Sequence, residues 1–389
     1  MYRVLMVAPT PFFSDRGCHI RIYEEIRHLQ NLGVKVQLLT YNLGKDLFGI
    51  SIKRARGKLN YKKLEAGPSW RKVFIDYSLL KELRRTVREY KPDLIHSHLH
   101  EGAFLSLLAD VSIPIFLDYQ GSLSLELKEH NFWFGMIGIY QLMRMLENWI
   151  NRRVNSILLN AKVLGKELDS SSQAKARWVG DGVDLERFFP QSAPPELYQK
   201  FDISDKELVI VYLGLLNRYQ GIEIFLHSLH LLQRNGYKFK ALIMGYPLGK
   251  YPQVAKKLGL KDAVRFLDRI DYFQAHKYLA LGDIAVAPKI SSTESNGKVL
   301  NYLAMGLPCV CFDFEINREL AGEYAEYVPF DAESEQRSAE NLALGIGHLL
   351  DDSARRKELS EGGRIWAEER FSWAGVARRI FSAYQEFFE

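Results

Sequence analysis

Short apolar runs that stop at a glycine or proline, followed by apolar positions at helical spacing, recur in both halves of this chain. Arg3-Val4-Leu5-Met6-Val7-Ala8 ends at Pro9. Ile20, Ile22, Tyr23, Ile26 and Leu29 then repeat with a helical period up to Gly33, and residues 34–40 read as the next strand. Runs this apolar, with no alternation, suit strands buried on both faces of a parallel sheet. The pattern continues with strands at 93–98, 113–117 and 156–160 and helices at 77–90, 105–109 and 142–153. It restarts with strands at 208–213, 239–244, 264–267, 284–287 and 308–312 and helices at 222–232, 254–258 and 271–280. Residues 339–350, 353–369 and 373–388 read as helices. Between the halves lies a turn-rich stretch, 178–184, followed by Pro190, Pro194 and Pro195. A chain of 389 residues is long for one core and fits two. The expected fold is α/β: two Rossmann-like doubly wound domains facing a central cleft lined by the glycine-bearing strand ends.

Charge is unevenly spread. The formal net charge is +5. Between residues 51 and 91 there are thirteen Lys and Arg against four Asp and Glu, so this segment carries +9 and the rest −4. Such a block suits an anionic partner, whether acidic lipid head groups, a phosphorylated acceptor or nucleic acid; a solvated helix face reads the same way. The three cysteines, Cys18, Cys309 and Cys311, are too few and too scattered for a disulfide framework and point to a reducing compartment. Cys309 and Cys311 sit in a strand-like run and read as core. No stretch has the length of a membrane span, and the apolar start is broken by Pro9 and Pro11, unlike a signal peptide.

The stretch 288–308 carries the strongest chemical signal. It joins the strand at 284–287 to a helical pattern at Val299, Leu300, Leu303 and Ala304, with Glu294, Asn296, Gly297 and Lys298 between. A turn of this kind offers backbone N–H groups to a phosphate, so Gly297 and Lys298 are expected at a diphosphate and Glu294 at a sugar. A βα loop whose polar residues only cap the helix fits the same residues.

On the N-terminal side, Gly17 either lets a ligand approach the backbone or permits a tight turn. His96 and His98 stand two apart on a strand and so share a face. The reading is one histidine packed in the sheet and one at the strand end facing the cleft; a metal site would need more ligands, and only His100 is near. The strand at 113–117 runs into the polar turn Asp118-Tyr119-Gln120-Gly121-Ser122. Residues 131–140 are unusually aromatic and read as core or as a surface dipping into a membrane interface. The first βα turn has no G-x-G-x-x-G run, which disfavours a dinucleotide dehydrogenase.

Several stretches resemble the retaining glycosyltransferases of the GT-B fold, in the broad family 4 group. Pro92-Asp93-Leu94-Ile95-His96-Ser97-His98 is similar to its "PDxIHxH" strand. Gly180-Asp181-Gly182-Val183-Asp184-Leu185-Glu186-Arg187-Phe188 resembles its "NGVDxxxF" linker. Tyr212-Leu213-Gly214 through Gln220-Gly221 resembles "GRLxxxKG", and Glu294 through Pro308 resembles "EGFGxxxxEAMAxGxP". The departures define a variant subgroup. The family's arginine and lysine that grip the diphosphate fall at Leu215 and Gln220, leaving Arg218 and Lys298 to supply the charge. The ribose-binding glutamate falls at Asn301, and a histidine at the end of an N-terminal strand is Gln120 here.

The resemblance implies an acceptor-binding domain over 1–183 with a returning helix over 371–389, and a donor-binding domain over 184–370. It implies a retaining hexosyltransferase that moves sugar from a UDP-, GDP- or ADP-sugar to an acceptor hydroxyl, without a metal or other cofactor. The acceptor is a carbohydrate, a lipid-linked species or a small molecule, and no nucleic acid is expected. The implied setting is cell-envelope, polysaccharide or glycolipid synthesis, in the cytoplasm or peripherally on the inner membrane face. Glu294, Lys298, His98 and Gln120 take the catalytic places. The donor side comprises Gly214, Arg218, Gly221, Arg269, Lys289, Glu294, Asn296, Gly297, Lys298, Val299 and Asn301. The acceptor side comprises Arg16, Gly17, His98 and Gln120. Two alternatives share the pattern: a nucleotide-sugar epimerase of related fold, and a non-catalytic partner subunit.

Overall fold

The computed structural model describes residues 1–13, 17–56, 70–129, 137–204 and 207–389. Backbone contacts divide the chain into two units. The first holds Met1–Asp181, Thr293–Ser295 and Trp373–Glu389; the second holds Gly182–Ser292 and Asn296–Ser372.

The first unit is built on seven parallel strands: β1 (Arg3–Ala8), β2 (Lys35–Thr40), β3 (Ile52–Arg54), β4 (Leu94–His98), β5 (Ile115–Tyr119), β6 (Ser156–Leu159) and β7 (Ala176–Trp178). Their order is β3-β2-β1-β4-β5-β6-β7. The chain leaves β1 toward β2 on one side, then returns to place β4 on the other. That reversal beside β1 is where ligands bind in doubly wound sheets. The helix Gly17–Asn31 follows β1 and buries Ile22, Ile26 and Leu29, the stripe expected from the sequence. The C-terminal helix Trp373–Phe388 packs against it within the same unit.

The second unit has six parallel strands: β8 (Leu208–Leu213), β9 (Phe239–Met244), β10 (Val264–Asp268), β11 (Ile284–Ala287), β12 (Cys309–Phe312) and β13 (Glu326–Val328), in the order β10-β9-β8-β11-β12-β13. Its two cores explain the unbroken apolar runs. Val209, Val211, Ala285, Ala287, Cys309 and Cys311 pack in one cluster. Their chain neighbours Ile210, Tyr212, Ile284, Val286, Val310 and Phe312 pack in the other. Alternate side chains thus reach opposite faces and both faces are covered, each large apolar side chain contributing about 1.5–3 kcal/mol.

Several elements differ from the sequence reading. The helix expected over 77–90 begins at Trp70, and the one over 142–153 begins at Ile137. The strand expected at 113–117 runs over Ile115–Tyr119, so Asp118 and Tyr119 belong to the sheet rather than to the turn. Residues 131–136 of the aromatic stretch and 57–69 of the basic segment lie outside the described residues.

Candidate active site

In the first unit, polar residues gather at the ends of β4 and β5. These strands pair in register, with His98 opposite Asp118. Asp118 Oδ2 accepts from His98 Nδ1 at 2.9 Å and from Gln120 Nε2 at 2.7 Å. Arg21, from the helix after β1, donates Nη2 to Asp118 Oδ1 at 2.9 Å and Nε to both carboxylate oxygens at 3.1 Å. Its Nη2 also lies 2.9 Å from Glu25 Oε1, and its Nη1 donates to the Gly180 carbonyl at 2.9 Å. All these side chains except Gln120 are buried. Burial alone would push the Asp118 carboxyl up; Arg21, and after it the His98 hydrogen bond, hold it well below the usual carboxylate range. Burial raises the Glu25 carboxyl, against the pull of Arg21. Burial, and then neighbouring His98, lower His96.

His98 does not face open space as expected. It is fully buried, because its in-register partner Asp118 draws Nδ1 into the sheet end. His96 lies beside it, with Nδ1 2.5 Å from the Tyr384 hydroxyl. His100 is turned away to Asn151, at 3.2 Å. Glu25, His96, His98 and Asp118 each bring one potential ligand atom within 4.8 Å of the others. The two imidazole rings, however, stack with centroids 4.7 Å apart and planes 26° apart. Their in-plane lone pairs run side by side instead of converging, and Arg21 already lies against both carboxylates. This geometry suits an ion-paired network better than a metal cage.

Gly17 opens its helix at an ordinary negative φ, and a Cβ there would meet nothing within 4 Å. The tight turn is therefore not its role, while room for a ligand remains. Arg16 lies outside the described residues. Glu294 groups with the first unit and forms an isolated antiparallel bridge with Gly121. A side chain at Gly121 would meet the Thr293 carbonyl at 2.9 Å. Next to Glu294, Ser295 Oγ donates to Asp181 Oδ2 at 2.8 Å, and Asp181 lies 3.5 Å from Arg21 Nη1.

In the second unit, the order of strands reverses beside β8, whose neighbours are β9 and β11. The loops after β8 and β11 carry the two stretches singled out above. Lys298, first residue of the helix Lys298–Ala304, hydrogen-bonds through Nζ to Gln220 Oε1 and sits 4.8 Å over the Tyr212 ring. A Cβ on Gly214 would meet that Nζ at 3.0 Å. Lys298, Gly214 and Gln220 are thus brought together. Gly221 has φ +71°, and a Cβ there would fall 1.8 Å from the Pro288 carbonyl oxygen. Glycine is required for the two loops to meet.

The other donor-side residues divide. Asn296 is buried; its Nδ2 donates to Asn317 Oδ1 at 3.1 Å while its Oδ1 has no hydrogen-bond partner. The Asn317 amide is itself fixed, because its Nδ2 donates to the Phe312 carbonyl. Gly297 precedes the helix, and Asn301 lies half-buried within it. Lys289, in the loop after β11, is buried. Arg269 is exposed, its guanidinium 4.2 Å over the Tyr246 ring. Two expectations need correction. Val299 is fully buried in the core and its amide donates to the Asn296 carbonyl, so it has nothing to offer a donor. Arg218 is largely exposed and turns its guanidinium to Glu335 at 3.1 Å, outside the Lys298 group.

Sequence reasoning missed Arg21, Glu25 and Asp118. The available signal was the i,i+4 pair Arg21 and Glu25 on a helix that also carries the buried stripe.

Two doubly wound units, each with polar residues at its reversal point, have the architecture of the GT-B fold. Residues 193–366 match the model of the family described as glycosyl transferases group 1, and residues 16–178 match that of the glycosyl transferase 4-like domain. Together the two matches span most of the chain, which belongs to the group 1, family-4-like glycosyltransferases. The sulfoquinovosyl transferase of Arabidopsis thaliana is 23% identical, covering 97% of this chain and 72% of that protein. Sucrose-phosphate synthase from Thermosynechococcus elongatus superimposes with a TM-score of 0.83 at 16% identity, over 100% of this chain and 99% of that one. Anabaena HepE, solved in complex with UDP and glucose, superimposes with a TM-score of 0.76 at 14% identity, over 99% of this chain and 100% of that one.

Proposed function

We propose that this chain transfers a sugar from a nucleotide diphosphate sugar to an acceptor hydroxyl with retention of configuration, in polysaccharide, glycolipid or cell-envelope synthesis. The observation that carries this reading is Lys298, whose ammonium lies against Gly214 and Gln220 at the reversal point of the second sheet. A departing diphosphate needs positive charge, and Lys298 supplies it from the helix although Leu215 and Gln220 cannot supply it from the loop. HepE was solved with UDP and glucose, which favours a nucleotide sugar as the donor here too.

The bond from the anomeric carbon to the diphosphate oxygen breaks while the acceptor oxygen bonds on the same face. The acceptor proton passes to the departing diphosphate, so neither metal nor cofactor is required. Glu294 binds sugar hydroxyls, and Gly17 and Gln120 form the acceptor side, with the buried His98 held beside Gln120 on Asp118.

A thermal-shift screen against UDP-, GDP- and ADP-sugars tests the reading. One of them should raise the melting temperature. Donor conversion without any acceptor would favour an epimerase, and no response to any nucleotide sugar would favour a non-catalytic subunit. Lys298→Ala and Glu294→Ala should each lower turnover about tenfold or more, roughly 1.4 kcal/mol of transition-state stabilisation. Unchanged kinetics in both would remove the proposed donor site.

We also place the enzyme at the cytoplasmic face of an anionic membrane. No described helix is long and apolar enough to cross one. The helix Trp70–Tyr90 exposes Val73, Phe74 and Tyr77 as well as Arg85 and Arg88, and the helix Ile137–Arg153 exposes Leu142 and Met145. Apolar side chains flanked by cations suit an anionic interface. Much of the basic charge is nevertheless paired, Lys53 with Glu82 and Glu89, and Lys72 with Glu101. Co-sedimentation with anionic vesicles should therefore be modest and lost at high salt. Binding that is absent at low salt, or that persists at high salt, would count against an electrostatic dock.

A further inference from the structure

Asp118 stands at the centre of the acceptor-side group without facing outward itself. One oxygen, Oδ2, accepts from both His98 Nδ1 and Gln120 Nε2, and Arg21 takes the other side of the carboxylate. The direction of these bonds matters. Beside the Arg21 guanidinium the carboxyl is held in its ionised form, and an ionised carboxylate only accepts. A group opposite it must donate. The Gln120 amide is therefore turned with Nε2 inward, and its carbonyl oxygen Oε1 is directed away. No hydrogen bond from a described residue reaches Oε1. The same logic fixes His98 with its proton on Nδ1. Its Nε2 is buried and has no hydrogen-bond partner.

Resting on the transferase reading above, we propose that Asp118 is a positioning residue that locks Gln120 as an uncharged hydrogen-bond acceptor, and that Gln120 Oε1 selects a hydroxyl of a polyol acceptor. The amide does not titrate, so position 120 orients the hydroxyl and moves no proton. A neutral acceptor beside an ion-paired carboxylate favours a hydroxyl-bearing acceptor over one that presents a carboxylate or phosphate to this position.

The test uses the full chain with D-glucose as the polyol probe. Saturation-transfer NMR should show glucose binding to the wild-type protein, and the side-chain amide of Gln120, assigned with a Gln120→Met variant, should shift on titration. Gln120→Met, at a half-buried position, should keep the melting temperature and weaken glucose binding about tenfold, the loss of one hydrogen bond in a site built for it. Asp118→Asn offers an amide in place of the carboxylate. It should let the Gln120 amide turn and lose the protected Nε2 proton signals, with a similar loss of glucose binding. If Asp118→Asn does not fold, Gln120→Met alone decides. Glucose binding that survives Gln120→Met, or a wild-type Gln120 signal unmoved by a large excess of glucose, overturns the inference. Nucleotide-sugar stabilisation in the same samples reports on the transferase reading separately. If it persists while Gln120 stays silent, only the inference about the acceptor falls.

Discussion

The two sheets share one architecture but finish their strands differently. Beside the reversal point of the first, the ends of β4 and β5 carry His98 and Asp118, and side chains do the work: a buried arginine ties two carboxylates and, through Asp118, two acceptor-side residues. Beside the reversal point of the second, β8 and β9 are followed directly by Gly214 and Gly245, and the backbone itself comes close. A Cβ on Gly245 would fall 2.0 Å from the Gly214 carbonyl oxygen. One end is held rigid by ion pairs. The other is shaped by missing side chains, with Lys298 laid across it. An acceptor that must be oriented suits the first arrangement, and a diphosphate that must be wrapped suits the second.

The sharpest way to break this contrast is to remove Arg21. Arg21→Ala leaves Asp118 and Glu25 buried without their cation, and burial, not the solvent, then sets their energy. A loss of about 3–5 kcal/mol in urea unfolding is expected. A loss below roughly 1 kcal/mol would mean that the cluster behaves like a hydrated surface pair, and the rigid end would not be rigid.

Glycine substitutions probe the other end. Gly221→Ala adds a Cβ 1.8 Å from the Pro288 carbonyl oxygen at a φ of +71°. It should cost about 1–3 kcal/mol and spread the loops that hold Lys298, lowering donor affinity as well. Gly17→Ala in the first unit has open space around it and should leave stability nearly unchanged. Equal effects at both positions, read by thermal unfolding, would show that glycine does not divide the two ends as described.

The sequence carried the sheets further than the site. The apolar runs located the long strands because both faces of each are covered. It passed over β3, β7 and β13, three residues each, since Ile52-Lys53-Arg54 and Ala176-Arg177-Trp178 are edge strands with no apolar run. Lys298 and Gly214 could each be singled out because a strand end and the turn after it lie close in sequence, although the two belong to different loops. The His98 environment was not. Its partner Asp118 is twenty residues away, and only the register of β4 on β5 brings them together. Arg21 was hidden for a related reason: an arginine on an amphipathic helix reads as a solvent-facing residue until its buried partners are known.

The smallest expected effect concerns pH and lies in the first unit, away from the reversal point. Tyr41 donates to Asp76 Oδ1 at 2.5 Å and Tyr41 Oη lies 3.0 Å from Glu101 Oε1, with Lys72 on Glu101 at 2.6 Å. Burial, and then the neighbouring Glu101 carboxylate, push Asp76 up to about 7. In the unfolded chain such a group titrates near about 3.9. Between these values the folded protein binds the extra proton, so stability falls as pH rises. The contribution is fully present below about pH 4 and gone once pH passes about 7. Asp76→Asn keeps the shape but cannot ionise. Its melting temperature relative to wild type should therefore climb between pH 4 and 7 and level off above. Asp118 should behave oppositely: its depressed carboxyl loses its stabilising charge only in strong acid, so its own contribution stays level across the same window. A wild-type and Asp76→Asn pair that melt in parallel from pH 4 to 7 would mean that Asp76 is ionised throughout, its charge balanced by Lys72, and that ion pairing governs this part of the first unit as it does the Arg21 end.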